Sequence, residues 1–96
     1  MKIPIACSLD AGTMGDRLQE WQALLARASG RERTDAGYRL TFARDPALAS
    51  ALADLAAREI ECCPFFTFAI RMTNDGLQLD VEVPEDAREL VAALFG

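Results

Sequence analysis

Two stretches of strict alternation, joined by a short turn, limit the folds open to this chain more than any other feature. Phe66, Phe68, Ile70 and Met72 fall on one side of an extended backbone, with Thr67, Ala69 and Arg71 on the other. After Asn74-Asp75-Gly76 the pattern returns in Leu77, Leu79, Val81 and Val83, with Gln78, Asp80 and Glu82 between them. A period of two on both sides of a Gly-containing turn predicts a β-hairpin with one dry face and one wet face. Arg71 then has Gln78, Asp80 and Glu82 as cross-strand candidates. The dry face needs a covering layer, so helices must come from elsewhere in the chain.

They are legible upstream and downstream. Leu18, Trp21, Leu24, Leu25 and Ala28 recur at helical spacing, with capping candidates between Asp10 and Thr13 and a stop at Gly30. Asp45-Pro46 is a helix start, since Asp accepts from free first-turn amides and Pro fits where no N–H is needed. That second helix runs into the cysteine pair, and Pro64 ends it by forcing the preceding residue into extended geometry. Pro84-Glu85-Asp86 opens a last helix with Leu90, Val91, Leu94 and Phe95 as its apolar stripe. Two further strands are expected. Ile3, Ile5, Cys7 and Leu9 alternate with polar or small residues, and so do the residues of Tyr38–Phe42. Arg31–Asp35 reads as a charged connection.

The expected order is β-α-β-α-β-β-α, a two-layer α/β (α+β) sandwich with a mixed sheet and a C-terminal hairpin. At 96 residues the chain makes one domain, spanning 1–96, with no repeat or linker to divide it. A formal charge of −5 and a pI near 4.6 argue against direct nucleic-acid contact or an anionic membrane surface. No run reaches the roughly 18 apolar residues of a membrane span. The stretch before Cys7 is shorter than the roughly 7 to 15 residues of an export signal. A cytoplasmic address and reduced thiols follow as expectations, because three cysteines include an adjacent pair that seldom self-bridges.

Reactive chemistry concentrates in Glu59-Ile60-Glu61-Cys62-Cys63-Pro64. On the second helix Leu48, Leu52 and Leu55 form an apolar stripe, and Glu59 falls in the middle of it. A buried carboxylate must take a proton, bind a cation or find several donors. Cys62 and Cys63 follow three and four residues later, flanking Glu59 at spacings where helical side chains meet. The helix's C-terminal end is its negative end, so a thiolate there needs a cation, and Arg58 is the adjacent candidate. Cys7 projects from the inner side of the first expected strand. Three thiols and a carboxylate suit a thiophilic ion such as Zn²⁺ or Hg²⁺, giving Cys7, Glu59, Cys62 and Cys63 as the candidate metal ligands. The competing reading makes the cysteines small core hydrophobes. In that reading Phe42, Phe65, Phe66 and Phe68 are core, and Trp21 and Tyr38 carry no signal of their own.

Ile5-Ala6-Cys7-Ser8-Leu9-Asp10, Arg17-Leu18-Gln19-Glu20-Trp21, the Glu-x-x-Cys-Cys segment through Phe68 and the closing Ala93-Leu94-Phe95-Gly96 together resemble a family of small uncharacterised bacterial proteins. They also resemble C-terminal extensions of MerR-type metal-responsive regulators. That resemblance implies a metal-linked role without implying an activity. A more local likeness joins Cys7-Ser8-Leu9-Asp10 and Cys62-Cys63 to the active segments of organomercurial lyases. It implies Cys7 and Cys62 as mercury ligands, with Asp10 or Glu59 delivering a proton to carbon.

The expected function is a cytosolic domain that binds a thiophilic metal ion for sensing, buffering or resistance. Its partners are then a metal ion or small molecule, and a regulator or a second copy of the chain. The alternatives are a ligand-binding or interaction module with structural cysteines, and a minimal lyase-like enzyme. Nothing in the sequence points to a nucleotide, sugar or haem.

Overall fold

The computed structural model describes residues 11–95. The elements are α1 (Ala11–Leu25), β1 (Ala28–Arg33), β2 (Gly37–Phe42), α2 (Pro46–Cys62), β3 (Thr67–Thr73), β4 (Gly76–Glu82), a 3-10 turn (Glu85–Ala87) and α3 (Arg88–Phe95). The strands form a four-stranded sheet in the order β1-β2-β4-β3. The strand expected over Ile3–Leu9, with Cys7, and the neighbouring Asp10 lie outside the described residues.

The hairpin forms as its alternation requires. β3 pairs antiparallel with β4, with Phe68 opposite Val81, Ile70 opposite Leu79 and Met72 opposite Leu77. β2 joins the other side of β4 and sets Tyr38, Leu40 and Phe42 against Val81, Leu79 and Leu77. This apolar face is covered by helices: α2 lies against β3, α3 against β2, and α1 touches both α2 and α3. Leu40, Leu52, Leu79, Val81, Val91 and Phe95 are fully buried between the layers. Each such side chain contributes roughly 1.5 to 3 kcal/mol through removal of apolar area from water. The opposite face carries Arg39, Thr41, Gln78 and Asp80, as a one-sided sheet demands. The fold is therefore the expected two-layer α+β sandwich.

Two details differ from the sequence expectation. Arg31–Asp35 is not a plain connection, because Ala28–Arg33 forms an edge strand antiparallel to β2. It lacks apolar alternation because it sits at the rim, and helix α1 accordingly stops at Leu25 before the expected Gly30. Arg31 explains much of the junction: its guanidinium donates to the Leu25 carbonyl at 3.2 Å and to the Phe95 carbonyl at 3.4 Å. A cation there meets the carbonyl-rich ends of α1 and α3. The sheet is also wholly antiparallel among the described residues, where a mixed sheet was expected.

The start of α2 follows its sequence signal. Asp45 Oδ1 accepts from the amides of Ala47 and Leu48, and the Asp45 carboxylate is also paired with Arg27, in the turn between α1 and β1. Its carboxyl is held below the usual carboxylate range, first by the Arg27 hydrogen bond and then by the Leu48 amide. At the other end, Cys63 leaves helical geometry (φ −130°, ψ 80°) immediately before Pro64. Among the described residues no helix is long and apolar enough to cross a membrane.

Candidate functional site

Glu59 lies where its spacing puts it, on the buried stripe of α2 below Leu48, Leu52 and Leu55, and is 5% exposed. Its charge is answered from α1. Trp21, fully buried, donates its indole N–H to Glu59 Oε1 at 2.6 Å. Arg17, one helical turn before Trp21, places Nη1 at 3.5 Å from the same oxygen. Residues four apart on a helix share a face, so one stripe of α1 delivers both the neutral donor and the cation. A buried indole N–H needs an acceptor and a buried carboxylate needs a counter-charge, and each requirement is met by the other helix.

The same guanidinium reaches the thiol. Arg17 Nη2 lies 3.9 Å from Cys62 Sγ, so Arg17 stands between the carboxylate and the sulfur. Arg17 Nη1 is itself buried, with no hydrogen bond in addition to the ion pair. Arg58, the cation expected from the sequence, does not take this position. It turns to the surface and pairs with Glu20 at 2.8 Å and Asp54 at 3.0 Å.

The two cysteines divide. Cys62 is half-buried beside Arg17. Cys63 is 4% exposed and joins the core that contains Phe66, Leu52 and Val91. Its amide donates to the Glu59 carbonyl at 2.7 Å and its carbonyl accepts from Phe66 at 3.2 Å, so the backbone turn made for Pro64 fixes its inward direction. Adjacent side chains on a helix diverge by about 100°, and the non-helical Cys63 completes the separation. Neither Cys62 nor Cys63 is in a disulfide. Among the described residues no three Cys, Asp or Glu side chains converge in a group able to hold a metal ion. Cys7, the expected strand ligand, lies outside the described residues.

An aromatic wall supports the Glu59 side. Trp21 stacks on Phe68 with ring centroids 5.6 Å apart and meets Phe95 edge-on at 4.9 Å. Phe66 continues the stack onto Phe68 at 5.2 Å. These rings hold the indole so that its N–H faces the carboxylate.

Arg17 and Trp21 are the members of the site that sequence reasoning did not assign. A signal was present: a Trp on the apolar stripe of one helix needs an acceptor, and an acid on the apolar stripe of another needs a donor. Chemically, the cluster pairs a buried carboxylate with a guanidinium and presents one half-buried sulfur beside them. Searches against protein-family models, curated proteins and solved structures find nothing that matches this chain.

Proposed function

We propose that the chain is a cytosolic domain that binds a thiophilic metal ion of the Zn²⁺ or Hg²⁺ class, with Cys62 as its accessible donor. Cys7 and Glu59 are the further donors, and Cys63 serves the core. The observation that carries this reading is Arg17 lying between Glu59 Oε1 at 3.5 Å and Cys62 Sγ at 3.9 Å. A soft donor and a hard donor face one shared positive charge, which is the electrostatic arrangement a bound cation would require. In this reading Arg17 is the resident counter-ion and moves aside when a metal ion binds. A sensing, buffering or resistance role follows from the donor set, and association with a metal-responsive regulator agrees with the sequence resemblance.

The test is competition between the reduced protein and a chromophoric chelator for Zn²⁺. Wild type is expected to take one ion, Cys62→Ser to lose at least tenfold in affinity, about 1.4 kcal/mol, and Arg17→Met to gain affinity. Equal affinity in wild type and Cys62→Ser would overturn the reading.

A second reading has its own observation. The Glu59 carboxylate already has a hydrogen bond from Trp21 and an ion pair with Arg17, and these are sufficient to join α1 to α2. The chain is then an interaction module whose cysteines only pack. This reading expects no stoichiometric Zn²⁺ uptake and a Cys62→Ala variant as stable as wild type.

A further inference from the structure

The two edges of the sheet are built differently. β1 shows the usual defences of an exposed edge: a register shift between Ala28 and Gly30, and the charged run Arg31-Glu32-Arg33. β3 has neither a bulge nor a proline, is seven residues long and carries a single charge, Arg71. Among the described residues its far side pairs with nothing, and Met72 at its end is 67% exposed on the apolar side of the sheet. An unblunted edge with an exposed methionine is a template for another strand.

The residues of β3 are self-complementary about Ile70. Antiparallel pairing of two copies through a two-fold axis there sets Thr67 against Thr73, Phe68 against Met72, Ala69 against Arg71, and Ile70 against itself. On the inner face the rows Leu40-Leu79-Ile70 and Tyr38-Val81-Phe68 then continue into Ile70 and Met72 of the second copy. The exposed methionine gains an aromatic neighbour.

The outer face matches in charge. Along one row Glu32 pairs with Arg39 at 3.9 Å and Arg39 with Asp80 at 2.8 Å, and the row ends at Ala69, opposite Asp80. Arg71 has no partner among the described residues, although cross-strand acids were expected for it. In the two-fold pairing Arg71 of the second copy comes beside Ala69, whose small side chain leaves the path to Asp80 open. The alternation Glu32, Arg39, Asp80 is completed by a cation from the other chain.

We infer that β3 is the seat of a homodimer in which two copies pair edge to edge, producing one continuous eight-stranded sheet. One strand pair with its flanking side chains is at the small end of protein interfaces, below about 1,200 Å², so the association is weak and concentration-dependent.

Sedimentation velocity over micromolar to sub-millimolar protein, with hydrogen exchange at each concentration, tests this. Wild type is expected to shift from the 10.5 kDa monomer to a dimer. The amides of β3 should gain protection with concentration while those of β1 stay unchanged. Met72→Lys and Arg71→Glu alter exposed side chains and should stay monomeric, with unchanged circular dichroism. A wild type that remains monomeric throughout overturns the inference. So does a dimer that survives both variants. Protection of β3 that is independent of concentration does the same, by assigning the edge to another segment of the same chain.

Discussion

Trp21 and Glu59, 38 residues apart, meet through a 2.6 Å hydrogen bond that ties the middle of α1 to the last turn of α2. Arg17 adds the charge that makes the buried carboxylate tolerable, and its own side chain is 12% exposed. Glu59→Ala is expected to cost roughly 3 kcal/mol or more, because it leaves Arg17 and the indole N–H buried without their acceptor. The double variant Arg17→Met, Glu59→Leu should recover the part of that loss that comes from the uncompensated charge, since apolar replacement of a buried ion pair is often neutral, while the indole N–H stays without its acceptor. Trp21 is the single tryptophan, so urea unfolding followed by its fluorescence reads both variants directly. If the double variant is no more stable than Glu59→Ala, the pair is not the linked unit described.

The unequal placement of the cysteines predicts unequal alkylation. In a Cys7→Ser background, iodoacetamide should label Cys62 within the native state. Cys63, 4% exposed in the core, should react only as the protein unfolds. Mass spectrometry of digests after timed labelling separates the two. Equal rates would mean that the turn before Pro64 does not hold Cys63 inward.

The hairpin and the start of α2 were legible because their signals are local: alternation around Asn74-Asp75-Gly76, and a capping Asp before Pro46. β1 was not, because Ala28-Ser29-Gly30-Arg31-Glu32-Arg33 has no apolar period. It is a strand because β2 offers it a partner and because Arg31 finds two helix ends, and both conditions are tertiary. Ala28 falls at helical spacing after Leu24 and so extends the apparent helix, yet it pairs with Phe42. The site divides the same way. Glu59 was recognisable as an acid on an apolar stripe. Its counter-charge was not, because Arg58, the nearest cation in sequence, is drawn to Asp54 one turn before it and to Glu20, leaving the place to Arg17.

Asp45 makes the stability of the α1–α2 junction depend on acid. Its folded-state pKa is depressed, so its contribution is fully present above the unfolded value of about 3.9 and is lost as pH falls through the lower folded value. Asp45→Asn keeps a capping oxygen but abolishes the charge presented to Arg27. The variant should melt below wild type at neutral pH. The difference should close only as pH falls through that lower folded value, where the wild-type carboxyl also becomes neutral. Melting temperatures of both proteins between about pH 2 and 7 check this, and a gap that persists unchanged at the acid end would show that the ion pair contributes nothing.

Gly37 and Gly30 lie in neighbouring strands and should respond oppositely to the same substitution. A Cβ added at Gly37 would stand 1.9 Å from the carbonyl oxygen of Val81 and 2.9 Å from its carbon, backbone atoms that cannot rotate away. Strands β2 and β4 must then separate at the pair Gly37 and Glu82, where Val83 also donates to the Ala36 carbonyl at 2.9 Å. Gly37→Ala is expected to cost about 3 kcal/mol or more. At Gly30 the nearest atoms to an added Cβ are those of the Thr41 side chain at 3.9 and 4.0 Å, an ordinary contact. Gly30→Ala should be neutral, or stabilising by about 0.4 to 1 kcal/mol through the reduced freedom of the unfolded chain. Urea midpoints of the two variants measured side by side decide the matter. Equal destabilisation would mean that the close approach of β2 to β4 is not what selects glycine at position 37.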